Sequence, residues 1–245
     1  MKNWKLFNKL KEIIDAKKGG PWYQITNKAD APSRAEIYLY NDIGMWDISA
    51  DEFVRELTIL DVSEIDVRIN SKGGEIFDGI AIYTALKSHK ARVTTYVDSI
   101  AASIASVIAM AGDEIVMSRH SEMMIHKAQG ITIGDDDDHE EAVNVLRRQN
   151  SKIAGIYAER AGGEVDHWLA LMKAETWFTA DEAVAAGLAN RVGDKDAKKE
   201  TNLVSTIFNF KHQGRSQAPA PDVVEEIEWV FDAEAFVNAL REEKK

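Results

Sequence analysis

Ser103 is the residue whose type and position most strongly suggest chemistry. It lies among small residues just after the β-branched run at residues 92–97, where the pattern changes from strand to helix. The start of a helix presents free N–H groups and the positive end of its dipole, and both favour nearby negative charge. A serine at this position can cap the helix or act as a nucleophile. Ser99 and Ser106 are rivals for the second role.

Acyl transfer needs a base and N–H donors as well as a hydroxyl. Two further features of the sequence could supply them. Gly73 and Gly74 separate a predicted strand from a predicted helix, so their backbone can approach a substrate carbonyl closely. His126 ends an apolar run and is the candidate base. An ordinary tight turn and a buried core histidine are the alternatives for these residues. Together the three features predict a serine hydrolase.

The elements that must position these residues alternate between strand and helix from residue 35 onward. This alternation predicts βαβ units and a largely parallel sheet, hence an α/β fold. The predicted strands are residues 36–40, 65–70, 92–97, 114–117, 123–125 and 189–192. One predicted helix begins with a capping box at residues 49–52. Three more predicted helices cover residues 76–87, about 101–110 and about 140–160.

The two ends of the chain differ from this central part. Residues 1–30 are predicted to form a basic amphipathic helix, at residues 3–17, and a linker. Residues 31–194 form the predicted catalytic domain, and residues 195–221 a linker that ends in an extended Pro-rich hinge. Residues 222–245 carry eight acidic and three basic side chains and predict a tethered acidic amphipathic helix.

Composition narrows the function classes. A net charge of −11 argues against general nucleic-acid binding and favours protein or peptide partners. The absence of cysteine excludes disulfides, thiolate catalysis and thiolate metal sites. With neither a membrane-spanning run nor a secretory signal, we expect no membrane partner and a cytoplasmic location. The acidic run at residues 135–141 is expected to be a solvated cluster, and we predict no metal and no other cofactor.

Four motifs together resemble the ClpP family of serine peptidases, and most closely its phage-encoded branch. They are NSKGG at residues 70–74, AASI at 101–104, MIH at 124–126 and FTADEAVAAGL at 178–188. The resemblance covers about residues 35–193 and neither end of the chain. It implies a fold of repeated ββα units with stacked sheets and a protruding handle helix at about residues 140–160.

The resemblance also implies residue roles. Ser103 is then the nucleophile, His126 the general base, and the N–H groups of Gly74 and Ile104 the oxyanion hole. The position that matches the family's aspartate is Glu175, for which Asp166 and Asp181 are possible substitutes.

The sequence departs from the family pattern at several positions. Lys72 replaces the usual proline before the diglycine, and Lys127 and Ala128 replace the usual Gln-Pro. The axial-loop segment of ATPase-coupled members has no recognisable counterpart. Since the chain contains no phosphate-binding loop of its own, any ATPase must be a separate AAA+ chain.

For a phage-type member, the resemblance implies a homo-oligomeric ring, typically a double heptamer, that cuts capsid and scaffold proteins during head maturation. Three other functions are alternatives for this chain: an ATPase-coupled Clp-type degradation subunit, a crotonase-like CoA enzyme, and an inactive capsid-assembly protein.

Overall fold

The computed structural model describes residues 22–27, 33–44, 50–193 and 210–221. The two predicted terminal helices, at residues 3–17 and 222–245, lie outside the described residues, as does the Ser49 side of the predicted capping box.

Eight strands within the described residues form one sheet, whose main path has the order β1-β2-β3-β4-β5-β8. They are β1 (Tyr23–Asn27), β2 (Arg34–Tyr40), β3 (Glu64–Ser71), β4 (Arg92–Ala102), β5 (Glu114–Met117), β6 (Glu122–Ile125), β7 (Thr176–Thr179) and β8 (Arg191–Val192). Along this path only the β1–β2 pair is antiparallel. The predicted parallel α/β sheet is therefore confirmed.

Six α-helices lie within the same ranges: α1 (Ala50–Thr58), α2 (Ile76–Lys87), α3 (Ile104–Ala109), α4 (Asp136–Ala161), α5 (Val165–Ala174) and α6 (Ala180–Ala185). A short 3-10 turn follows at Arg215–Gln217. Gly79 allows α2 to approach α3, because a Cβ there would lie 2.0 Å from the Ile104 side chain. Helix α3, whose six residues are all buried, is thereby packed closely against α2.

Strand β4 pairs with two different strands along its length. Its residues 94–97 pair with β5, whereas residues 100–102 pair with β6, which in turn pairs antiparallel with β7. The predicted helix at 101–110 was therefore wrong at its start, since the strand continues to Ala102 and the helix begins at Ile104. Pairing with β6 outweighs the helix propensity of the two alanines.

Helix α4 is 26 residues long, or about 39 Å at the usual rise. It begins earlier than predicted, because Asp135 and Asp138 form a capping box. Its first half is exposed and its second half packs on the core through Ile153, Ala154 and Tyr157. The predicted protruding helix is thus present.

The acidic run at residues 135–141 therefore begins this helix. Among the described residues, no group of three or more potential ligands could hold a metal ion. Within the same ranges, no helix is long and apolar enough to cross a membrane.

Candidate active site

Ser103 forms a sharp turn between β4 and α3. Its backbone angles, φ 56° and ψ −130°, are rare for a residue other than glycine. The turn is held by a 2.9 Å hydrogen bond from the Ser103 N–H to the Met124 carbonyl and a 2.5 Å bond from the Ser106 hydroxyl to the Ser103 carbonyl. Strained strand-to-helix turns of this kind expose nucleophilic hydroxyls in many hydrolases.

His126 lies within hydrogen-bonding distance of this hydroxyl, with 2.7 Å between its Nε2 and Ser103 Oγ. The sheet accounts for the contact. Strands β4 and β6 run parallel with Ala102 opposite Met124, so the residues that follow each strand emerge together. A donor–acceptor separation of 2.7 Å is suitable for transfer of the hydroxyl proton to Nε2.

The surroundings of His126 favour the neutral form of its imidazole. Burial lowers the pKa of His126 below its ordinary value, the negative charge of Glu175 opposes this by raising it, and the positive charge of Lys211 lowers it further. The net shift of the pKa is downward. Near neutral pH the imidazole is therefore in the form that accepts a proton from Ser103.

The diglycine lies against the serine turn and requires glycine at both positions. Gly73 has φ 107°, and a Cβ there would approach the Ser103 Cβ to 2.7 Å. Gly74 has φ 156°, and a Cβ there would lie 1.9 Å from the carbonyl oxygen of Ile43. The surrounding bonds, from Ile43 N–H to Gly73 O and from Glu75 N–H to Ile43 O, fix this segment beside Ser103.

Two backbone N–H groups, one in the diglycine and one directly after Ser103, are free to donate. Within the described ranges, neither Gly74 N–H nor Ile104 N–H has a hydrogen-bond acceptor. Ile104 is the first residue of α3, so its N–H has no partner within the helix. These are the two donors that the family resemblance assigns to an oxyanion hole.

Strand pairing places Glu175 across from His126. The antiparallel β6–β7 register pairs Ile125 with Thr176, which sets Glu175 across from His126. Glu175 ends α5 in a left-handed conformation, with φ 61°, and is 2% exposed. Among the described residues the carboxylate makes no hydrogen bond to His126, and its effect on the imidazole is electrostatic.

The carboxylate of Glu175 instead accepts three other hydrogen bonds. Backbone N–H groups donate from Lys211 to Oε2 at 2.8 Å and from His212 to Oε1 at 2.9 Å. The Trp177 indole donates to Oε1 at 3.4 Å. The predicted orienting acid is therefore held by a segment 35 or more residues farther along the chain.

The other candidate residues lie elsewhere. Ser99 is exposed on β4, while Ser106 is buried and hydrogen-bonded to the Tyr157 hydroxyl at 2.8 Å. Asp166 and Asp181 are exposed in the first turns of α5 and α6. Of the residues considered from sequence, the structure brings together Ser103, His126 and Glu175.

Sequence reasoning did not identify residues 210–218, which we call the strap. Phe210 packs edge-on against the rings of His126 and Trp177, with centroid distances of 5.7 and 5.8 Å. The sequence pattern places this stretch in the linker at residues 195–221. The available signal was the apolar run LVSTIFNF at residues 203–210, which interrupts the polar character of that linker.

Comparison with known proteins agrees with the motifs. Residues 17–196 match the family model described as Clp protease. The ATP-dependent Clp protease proteolytic subunit of Bacteroides fragilis is 30% identical over 152 residues, which are 60% of this chain and 73% of the relative. Proteolytic subunit 1 of Protochlamydia amoebophila is 33% identical over 156 residues, covering 59% and 74%. The Pleurastrum terricola subunit is 33% identical over 134 residues, covering 54% and 68%.

The family model spans well over half of the chain, and the similarity extends over more than two thirds of each of these relatives. The chain belongs to the Clp protease family.

Proposed function

We propose that this chain is a serine endopeptidase that hydrolyses peptide bonds in proteins. Ser103 is the nucleophile, His126 the general base, and Glu175 the acid that stabilises the charged histidine. Gly74 and Ile104 donate their N–H groups to the oxyanion. The observation that carries the proposal is the 2.7 Å contact between Ser103 Oγ and a partly buried histidine of lowered pKa.

The proposed reaction proceeds in two steps. His126 Nε2 takes the hydroxyl proton as Ser103 Oγ attacks the scissile carbonyl, and the two N–H groups stabilise the resulting oxyanion. His126 then gives its proton to the leaving amine, which departs and leaves an ester on Ser103. A water molecule, deprotonated by His126, hydrolyses that ester and restores the free hydroxyl.

Glu175 contributes through its charge. The protonated imidazole forms during each step, and a nearby carboxylate stabilises it. Since the Glu175 carboxylate is 2% exposed, its charge is only weakly screened by solvent.

Labelling with a fluorophosphonate probe tests the proposal, because such a probe forms a covalent bond with an activated serine. We expect labelling of the wild-type chain and none of Ser103→Ala or His126→Ala. Ser99→Ala is the matched control and should be labelled like the wild type, since Ser99 is exposed and lies outside the site. Labelling that survives Ser103→Ala would exclude this nucleophile.

The chain is further proposed to work as a homo-oligomeric ring, a double heptamer that encloses the serines. Exposed apolar side chains support self-association near the protruding part of α4: Ile131 is 87% exposed, Ile133 69% and Val143 43%. Native mass spectrometry should show a multiple of the chain mass. Ile131→Ser combined with Ile133→Ser should reduce that mass, whereas an unchanged mass would exclude this surface.

The proposed substrates are capsid and scaffold proteins, which are cut during phage head maturation in the cytoplasm of a bacterial host. The resemblance to the phage-encoded branch supports this choice of substrates. The proposed domains are the catalytic domain at 31–194 and a linker, with amphipathic helices at both ends.

The acidic helix at 222–245 would recruit basic partners. Deleting residues 222–245 should weaken cleavage of a co-expressed scaffold protein without reducing fluorophosphonate labelling. Unchanged scaffold cleavage would remove this role.

A second candidate is an ATPase-coupled degradation subunit that acts with a separate AAA+ chain. The names of the relatives favour it, since each is an ATP-dependent Clp protease proteolytic subunit. Degradation of a folded substrate that requires both ATP and an added AAA+ unfoldase would support this candidate over head maturation.

A further inference from the structure

The strap packs directly behind the catalytic histidine. Phe210 is 9% exposed and fills an apolar site formed by Ala102, Met124 and Trp177. Ala102 immediately precedes the nucleophile, Ser103. The Met124 carbonyl accepts a hydrogen bond from the Ser103 N–H. The strap therefore packs against the two strands that present Ser103 and His126.

The next two residues of the strap bind the acid. Lys211 and His212 donate their backbone N–H groups to the two different oxygens of Glu175. Such hydrogen bonds to a carboxylate are stronger than those between neutral groups. With the Trp177 indole at Oε1, they fix the side chain in its position across from His126.

Arg215 anchors the strap to the domain. Its guanidinium forms two hydrogen bonds with the Glu182 carboxylate, at 2.6 and 2.5 Å, and its backbone N–H donates to Glu122 at 3.2 Å. Glu182 also caps α6 by accepting the Thr179 N–H. The hydrogen bonds of Arg215 lower the pKa of Glu182, which keeps it ionised. The strap is thus joined to β6 and α6.

We propose that the strap is a positioning element of the catalytic site. Its Lys211 and His212 N–H groups hold the Glu175 carboxylate, and its Phe210 ring holds the His126 imidazole. The inference rests on the proposed serine peptidase function. It adds that the acid and the base depend on a segment beyond the four motifs at residues 70–188, and that this segment acts through Glu175.

The test compares His212→Pro with His212→Ala in the full chain. Both variants lose the imidazole, but only proline removes the backbone N–H. The measured quantity is the second-order rate constant of fluorophosphonate labelling, together with kcat and KM for a peptide substrate. We expect His212→Pro to label about ten-fold more slowly than His212→Ala, with the loss in kcat and KM nearly unchanged.

A double-mutant comparison separates positioning from simple structural support. If the strap acts through Glu175, His212→Pro should cost little additional labelling rate in a chain that already carries Glu175→Gln. Effects that multiply in the double variant would overturn the proposal. Equal rates for His212→Pro and His212→Ala would overturn it as well.

A second pair of variants applies if His212→Pro does not fold. Arg215→Gln releases the anchor of the strap, whereas Arg191→Gln breaks a similar arginine–glutamate pair on the far edge of the sheet, where Arg191 bonds Glu114 at 2.8 Å. Labelling should slow several-fold for Arg215→Gln alone. Equal rates for the two would contradict the role of the strap. Absence of labelling in the wild type would instead contradict the peptidase function itself.

Discussion

The two sides of His126 are built in different ways. On the Nε2 side, Ser103, Gly73 and Ile104 are positioned by backbone conformation and by strand pairing between neighbouring elements. On the other side, Glu175 is positioned by hydrogen bonds from residues 211 and 212, which lie outside the motif-bearing region.

This difference separates two requirements of the site. In the proposed mechanism, the Nε2 side needs particular backbone angles, which tolerate almost no substitution. The acid side needs a charge near the histidine, and several arrangements can hold one there. We therefore expect the largest losses from changes to the glycine turn and smaller ones from changes around Glu175.

Among variants that keep both Ser103 and His126, the largest effect is expected for Gly74→Ala. The new Cβ would lie 1.9 Å from the Ile43 carbonyl oxygen, in a backbone conformation with φ 156°. The turn must shift and take its N–H donor with it, so labelling should slow by about a hundred-fold or more. Gly155→Ala is the control, because a Cβ there meets nothing within 4 Å and helix α4 favours alanine. Equal rates for the two variants would contradict the assigned donor.

Glu175→Gln should have a smaller effect and should change the pH profile. The His126 pKa lies below its ordinary value of about 6.5, so wild-type labelling should rise with pH through a midpoint below that value. The Glu175 charge raises this pKa, so its removal should move the midpoint to lower pH. The plateau rate should fall roughly ten-fold, because the imidazolium loses its counter-charge. A midpoint that moves upward would contradict the electrostatic role.

Tyr157→Phe tests the support beneath the serine turn. Ser106 gives its one proton to the Ser103 carbonyl, so Tyr157 must donate to Ser106. Loss of that buried bond should lower the free energy of unfolding by about 1 kcal/mol and slow labelling a few-fold. Chemical denaturation measures the first effect. Tyr83→Phe is the control, since Tyr83 is half-buried on α2 away from this turn.

The smallest effect is expected for Lys211→Gln. The Lys211 charge lowers the His126 pKa, so its removal should raise the midpoint of the labelling profile slightly. The backbone N–H of residue 211 remains, and the plateau rate should be nearly unchanged. A lower midpoint would show that the lysine charge does not act on His126. Raising the salt concentration should reduce the difference between the variant and the wild type.

Much of the nucleophile side could be predicted from sequence, because local patterns determine it. The strand before Ser103, the diglycine and the apolar run before His126 each carry a short-range signal. The start of α3 was misplaced because alanines at 101 and 102 favour a helix in isolation, whereas the β4–β6 pairing appears only in the folded chain.

The acid side was less predictable for a physical reason. Glu175 was identified only through the family resemblance, and its hydrogen-bond donors are backbone groups, which leave no trace in residue type. Phe210 carried a weak signal as part of an apolar run, but nothing in its spacing indicated His126 as its neighbour. Long-range contacts of this kind depend on the whole fold.

The most direct measurement is to locate the fluorophosphonate adduct by peptide mass mapping of the labelled wild-type chain. The proposed site predicts a single adduct on Ser103, formed faster as the pH rises through the His126 titration. An adduct on Ser99 or Ser106, or no adduct on a folded chain, would contradict it.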